Sequence, residues 1–243
     1  MKDKFEELMR RGLGEMGLAL SDYQLDQFYR YYELLTEWNK VMNLTAITEL
    51  EEVVTKHFVD SLALVKAIPG SELSGARVMD LGTGAGFPGI PLKIAFPDMK
   101  VTLADSLNKR IKFLEEVIRQ LDLKDGEAVH GRAEDLGKMG PYREQYDLCV
   151  SRAVANLSTL SEYCLPFVKV GGSFISYKSA EAETEVKEAQ GAFKVLGGRV
   201  EDFIVFTLPG SDMRRMLVEI KKEKKLSGKY PRKAGLPGRE PLK

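Results

Sequence analysis

The chain has 243 residues, 44% of them hydrophobic and 30% charged, with a formal net charge of zero, two cysteines and two histidines. That is an ordinary globular composition, long enough to bury a core without disulfide or metal staples, and the separated Cys149, Cys164, His57 and His130 suggest no zinc or iron site. No apolar run approaches the roughly 20 residues of a membrane span, and Met1–Arg11 lacks the apolar centre of a signal peptide, so a cytoplasmic chain without membrane contact is expected.

The first 75 residues read as helices. Ser21 with Gln24, and Thr48 with Glu51, fit the capping-box pattern. After Ser21, Leu25, Phe28, Tyr32 and Leu35 recur at steps of three and four, and Leu34, Trp38 and Val41 widen that face. A second helix is predicted from about Leu50 to Ala67, and Pro69–Gly75 reads as a linker. From Ala76 the rhythm changes. Short apolar runs at Ala76–Leu81, Val101–Asp105, Ala128–His130, Tyr146–Ser151 and Ser173–Tyr177 alternate with helical patterns. Two further runs, Arg199–Leu208 and Met213–Lys221, flank a Pro-Gly-Ser-Asp turn and predict an antiparallel hairpin. The expectation is a doubly wound α/β fold with a seven-stranded, mainly parallel sheet. It divides into a helical extension (1–75), a core (76–221) and a basic tail (222–243). Lys221–Lys243 holds nine basic and two acidic residues, +7, so the preceding 220 residues carry −7. A basic end suits an anionic partner; a solvated end is the plain alternative.

The stretch Val78-Met-Asp-Leu-Gly-Thr-Gly-Ala-Gly-Phe-Pro-Gly89 places a glycine-rich turn between a strand and a helix. Gly84, Gly86 and Gly89 formally match a dinucleotide fingerprint. Asp80, two residues before the first glycine, would repel a pyrophosphate and welcome a cation. Pro88 removes one backbone donor from the turn. Both features favour a sulfonium and ammonium ligand without phosphate. The pattern resembles class I methyltransferases, whose donor is S-adenosylmethionine. That resemblance implies cofactor contacts from Asp80, Gly82, Thr83, Gly84, Gly86 and Phe87. It also implies ribose binding by Asp105 with Ser106 at the end of the second strand, and contacts from Ala133 and Glu134 after the third. For Asp105 the competing structural role is a helix N-cap before Leu107.

The methyl acceptor leaves fewer traces. Pyrimidine C5 chemistry needs a cysteine nucleophile, and neither cysteine follows a proline or sits in a polar loop. The Asn/Asp-Pro-Pro-aromatic motif of exocyclic-amine methyltransferases has no counterpart at Ser151-Arg-Ala-Val154. Acceptors with a free lone pair remain, guanine N7 among them. Such a reaction calls for positioning residues more than for a general base.

Asn43-Leu-Thr, Lys56-His-Phe-Val-Asp-Ser-Leu62, Asp80 to Leu92, Asp105 to Leu114, Ser151-Arg-Ala and Tyr230 to Leu242 together resemble the ribosomal RNA small subunit methyltransferase G family, also called glucose-inhibited division protein B. The resemblance runs from about Leu20 onward. It implies N7 methylation of one guanosine in 16S rRNA, with naked RNA or the small ribosomal subunit as partner. Arg152 is similar to the family arginine between cofactor and substrate, and an ion pair is its competing role. His57 is a second positioning candidate. Lys56, Lys178 and Arg215, with Lys229, Arg232, Lys233 and Arg239 of the tail, are the candidate RNA-binding cations. A monomer without metal is expected. The alternatives are a nucleotide-dependent oxidoreductase on the same sheet and a non-catalytic ribosome-binding protein.

Overall fold

Helix α1 (Lys2–Gly14) is followed by α2 (Asp22–Met42), which opens on the expected box: the Ser21 hydroxyl accepts from Gln24 N–H while Gln24 reaches back to Ser21. The face that α2 buries is Leu25, Phe28, Tyr31, Leu34 and Leu35. Tyr31 replaces Tyr32 as the deeply buried ring, and Val41, expected on the apolar face, is 82% exposed. The buried face of the helix is therefore not quite the one the spacing suggested.

The second helix exists but is not uniform. It runs through α3 (Leu50–Val53), a π-helical turn (Val54–Val59), α4 (Asp60–Leu62) and a 3₁₀ turn (Ala63–Lys66). Its start is at Glu49 without a side-chain cap, so the Thr48–Glu51 box does not form. The π turn inserts one residue into the helical repeat and re-aims the side chains of α4. The expected linker contains a helical turn, α5 (Gly70–Leu73), because Leu73 is driven into the core and is fully buried.

The structure, a computed structural model, describes residues 1–243 except 139, 153 and 154, so Ala153 and Val154 of the stretch after the fourth strand lie outside the described residues. Strands β1 (Arg77–Leu81), β2 (Lys100–Asp105), β3 (Gly126–His130), β4 (Tyr146–Ser151), β5 (Val168–Ser179), β6 (Gly198–Thr207) and β7 (Arg214–Lys222) form one sheet in the order β3-β2-β1-β4-β5-β7-β6. β7 is antiparallel to β5 and β6, while the other pairings are parallel. The helices between strands are α6 (Gly89–Ala95), α7 (Asn108–Gln120), α8 (Ala133–Leu136), α9 (Leu157–Cys164), α10 (Glu183–Glu188) and α11 (Gln190–Val195). A short α12 (Leu236–Arg239) comes after β7.

Adjacent strand residues point to opposite faces. Val78, Val150, Ile175 and Leu217 join one apolar cluster, and Met79, Cys149, Phe174 and Val218 the other. The first cluster also contains Phe5, Phe28 and Phe58, so the N-terminal helices share the core of the sheet. The strand order reverses between β2-β1 and β1-β4, and a doubly wound sheet opens its ligand crevice at such a point. No described helix is long and apolar enough to cross a membrane.

Gly89 shows how closely the loop after β1 packs. A Cβ there would lie 2.3 Å from Leu103 Cδ2 and 2.8 Å from Asp80 Oδ2. Gly89→Ala is expected to lower unfolding free energy by about 1–3 kcal/mol, the usual range for overpacking, as read from urea titration.

Candidate active site at the strand ends

The glycine loop leaves β1 and turns back with Gly82 at φ 70° and Gly84 at φ 63°, left-handed conformations that L side chains resist. Six of its backbone donors are engaged within the protein, and Ala85 N–H, on the cleft wall, has no partner among the described residues. Gly82 and Thr83 N–H reach the Ala104 carbonyl at 2.8 and 3.2 Å, and Gly86 and Phe87 N–H reach the Thr83 carbonyl at 2.9 Å each. Gly84 N–H goes to Asp105 Oδ2 at 3.0 Å, and Gly89 N–H to Asp80 Oδ2 at 2.7 Å. A phosphate cradle needs such groups free and convergent.

Asp80 lies under the loop rather than in its mouth. It is fully buried and absent from the cleft wall, which corrects the expectation of a carboxylate facing the ligand. Its Oδ2 also accepts from Thr83 Oγ1 at 2.6 Å, while Oδ1 has no partner among the described residues. Burial pushes its pKa up to about 7, against the opposing pull of the Thr83 and Gly89 hydrogen bonds. Gly86 is likewise turned inward, where a Cβ would meet Ile90 at 2.6 Å and the Tyr31 hydroxyl at 2.7 Å. Tyr31 donates that hydroxyl to the Ala85 carbonyl, so α2 holds the loop from the other side.

The cleft has a volume of about 720 Å³. One wall is Gly82, Thr83, Gly84 and Phe87; the next is Asp105 and Ser106; the third is Ala133 and Glu134. Asp105 is 3% exposed. Its Oδ1 accepts from Leu107 N–H at 2.9 Å, and its Oδ2 accepts from Gly84 and, at 3.1 Å, from Arg110 Nη1. It is therefore not the cap of α7, whose cap position is Leu107. Three of roughly four acceptor directions of this carboxylate are occupied. A ligand hydroxyl can take the remaining one, and a second must displace the half-exposed Arg110.

The fourth wall comes from far away in sequence. The π turn presents His57, whose ring stacks on Phe87 with centroids 4.4 Å apart and planes at 17°. His57 Nε2 is 2.9 Å from Thr45 Oγ1, and Nδ1 is 3.3 Å from Arg152 Nη2. Burial, then the positive charge of Arg152, lowers its pKa to about 3. A guanidinium can only donate, so neutral His57 accepts at Nδ1 and carries its proton at Nε2. Arg152 donates to Asp60 Oδ2 at 2.8 Å and to the Lys56 carbonyl at 3.1 Å, with its guanidinium 5.1 Å from the Phe87 ring centre. Arg215 donates to the other oxygen of Asp60 at 2.9 Å. In the sequence Asp60 stood out only as part of the Lys56–Leu62 motif. Nothing local marked it, and only the fold brings two arginines to it.

Arg152 also borders a second cleft of about 310 Å³ with Lys178, Phe206 and Arg215. Lys178 pairs with Glu185 at 2.7 Å and donates to the Ala155 carbonyl at 2.8 Å. Lys56 pairs with Glu52 on the same turn. Lys229, Lys233 and Arg239 are exposed. Arg232 is not the free cation that was expected: its guanidinium binds the fully buried Glu162 at 2.7 Å. Cys149 and Cys164 are buried, Cys164 with its pKa raised well above the ordinary thiol value by burial, and neither borders the cleft. Among the described residues no group of three or more His, Cys, Asp or Glu is arranged to hold a metal.

The neutral state of His57 has a measurable consequence. Between pH about 3 and 6.5 the unfolded chain binds this proton and the folded chain does not, so stability gained from His57 is present above 6.5 and lost as pH falls toward 3. The stability difference between the wild type and His57→Gln is expected to shrink steadily below pH 6.5 and to be flat above it in urea melts. A difference independent of pH would show that the imidazole ionises in the fold.

A family model described as rRNA small subunit methyltransferase G matches residues 24–216. The chain is 53% identical over 232 residues to "Ribosomal RNA small subunit methyltransferase G" of Lachnoclostridium phytofermentans, covering 96% of this chain and 95% of that one. It is 52% identical over 242 residues to the protein of that name from Thermoanaerobacter sp. strain X514, covering 100% of both. Among solved structures, the fold is similar to a putative sarcosine dimethylglycine methyltransferase from Galdieria sulphuraria, with TM-score 0.56, 12% identity and coverage of 84% and 100%. It is also similar to M. jannaschii TYW2 in complex with AdoMet, with TM-score 0.53, 13% identity and coverage of 67% and 76%. With the family model spanning most of its length and relatives matching it end to end, the chain belongs to the rRNA small subunit methyltransferase G family.

Proposed function

We propose that the chain transfers the methyl group of S-adenosylmethionine to N7 of one guanosine in 16S rRNA of the small ribosomal subunit. The observation that carries this reading is the glycine loop, six of whose N–H groups are engaged inside the protein, set above Asp80 and beside Asp105. Such a loop suits an adenosine with a cationic side chain and disfavours the pyrophosphate of a dinucleotide. Asp105 would accept a ribose hydroxyl, Ser106, Ala133 and Glu134 would border the base, and Gly82, Thr83, Gly84 and Phe87 would approach the remainder. Bound there, the cofactor supplies an electrophilic methyl carbon, to which guanine N7 brings a lone pair without first losing a proton.

The residues of this chain then have a positioning task. Arg152 stands between the two clefts, aligned by Asp60, His57 and the Lys56 carbonyl. His57, held neutral, orients Arg152 and packs Phe87, and it takes no proton. Lys178 and Arg215 border the cleft next to Arg152 and would meet the RNA backbone, as would Lys56 and the exposed Lys229, Lys233 and Arg239. Residues 1–75 serve as a cap that shapes the loop, 76–221 as the methyl-transfer core, and 222–243 as a basic strap.

Titration calorimetry is expected to show S-adenosylmethionine binding and no binding of NAD(P). Asp105→Ala is expected to weaken that binding about 10- to 100-fold, the size of a charge-assisted hydrogen-bond loss. Mapping of the product after reaction with unmodified small subunits should find 7-methylguanosine at a single position. A methyl group elsewhere than guanine N7, or tight NAD(P) binding, overturns the assignment. RNA affinity should fall steeply between about 50 and 200 mM salt, and a flat response removes the phosphate contacts.

A further inference from the structure

Residues 226–243 lie beyond the 24–216 span of the family model, yet they are fastened to the body of the protein. Arg143 donates to the carbonyls of Leu226, Ser227 and Tyr230. Glu162, fully buried on α9, accepts from the backbone N–H of Arg232 at 2.7 Å and from its guanidinium at 3.0 Å through Nε and 2.7 Å through Nη2. On the same helix Thr159 donates to the Pro237 carbonyl at 3.0 Å. A carboxylate this deep is tolerated only when paired and multiply hydrogen-bonded, so the tail must sit here to complete the core of α9. A solvated basic end would have none of these contacts.

Between the Arg232 latch and the Pro237 tie, the chain passes over the active-site cleft. Gly235, at φ 81°, forms part of the cleft wall near Tyr163 and Ala133. Its N–H donates to Glu134 Oε1 at 2.8 Å. One oxygen of Glu134 is thereby fixed, and the other remains to meet a donor from the base end of the cleft. We propose that residues 226–243 are a wall of the methyl-donor site, with Glu162–Arg232 as the latch that positions Gly235 and, through it, Glu134. The inference rests on the reading that the donor occupies this cleft. Arg232 is on this account a positioning residue, while the exposed Lys229, Lys233 and Arg239 are carried on the outer side of the strap.

The test uses the full chain and S-adenosylmethionine. Calorimetry on the wild type checks the underlying reading: no binding there would remove the donor site itself. Given wild-type binding, Arg232→Ala is expected to raise the dissociation constant about tenfold and Arg232→Lys to restore part of it. In turnover the loss should appear in KM for the donor, with kcat at saturating donor and KM for RNA changed less than about twofold. Hydrogen exchange of the wild type should slow across 230–240 when the donor binds. Thr159→Val, which unties Pro237 without exposing a buried charge, serves if Arg232→Ala fails to fold, and should weaken donor binding in the same direction. Unchanged donor affinity in the folded variants, or strap amides that exchange equally with and without donor, overturns the proposal while leaving the methyl-transfer reading standing.

Discussion

Everything at the strand ends depends on a glycine loop held from both sides. Asp80 accepts from Thr83 and Gly89 beneath it, and Tyr31 of α2 binds the Ala85 carbonyl from the opposite side. Gly86 and Gly89 leave no room for a Cβ against these partners. Six of the loop's donors are engaged inside the protein as a result, so the cleft wall lacks the convergent free N–H groups of an anion cradle. An acid that burial raises to about 7 is an expensive support, and its unpartnered Oδ1 is a polar atom without compensation in the described residues. Groups of this kind concentrate where structure serves chemistry.

The mouth of the cleft is organised by a second carboxylate. Asp60 is 3% exposed and accepts from both Arg152 and Arg215. It thereby joins the helix after the π turn to the end of β4 and to β7, three segments distant in sequence. Burial, and then the Arg152 charge that this pairing fixes in place, keep His57 neutral. A ring stacked on Phe87 and facing a guanidinium cannot hold a proton without placing two positive charges 3.3 Å apart. Aromatic stacking and a fixed tautomer replace acid–base function at this position.

The strap shows how misleading a linear charge count can be. Lys221–Lys243 is strongly basic, but its cations have different fates. Lys222 is fully buried against the Leu165 and Val168 carbonyls and Glu144, and Arg232 neutralises Glu162. The remaining exposed cations stay available to an anionic surface. Part of the basic excess therefore compensates acids of the body, Glu162 and Glu144, rather than advertising a partner.

The fold was largely legible because it is written in local signals. Strand runs, the α2 periodicity and the Ser21 box need only neighbouring residues, and the loop motif and Asp105 lie on the wall of the cleft that forms. Misreadings arose where tertiary packing overrode local preference, as with the Thr48 box, the helical turn at Leu73 and the exposed Val41. The direction in which Asp80 points was decided by Thr83 and Gly89 closing over it. Asp60, Glu162 and Gly235 carried no local mark at all, because their roles consist of contacts across 70 or more residues. Sequence by itself determined which residues could form a nucleoside cleft. Only the folded chain decided which charges face it and which are buried in pairs, since a charge acquires its meaning from the dielectric and the partner that packing provides.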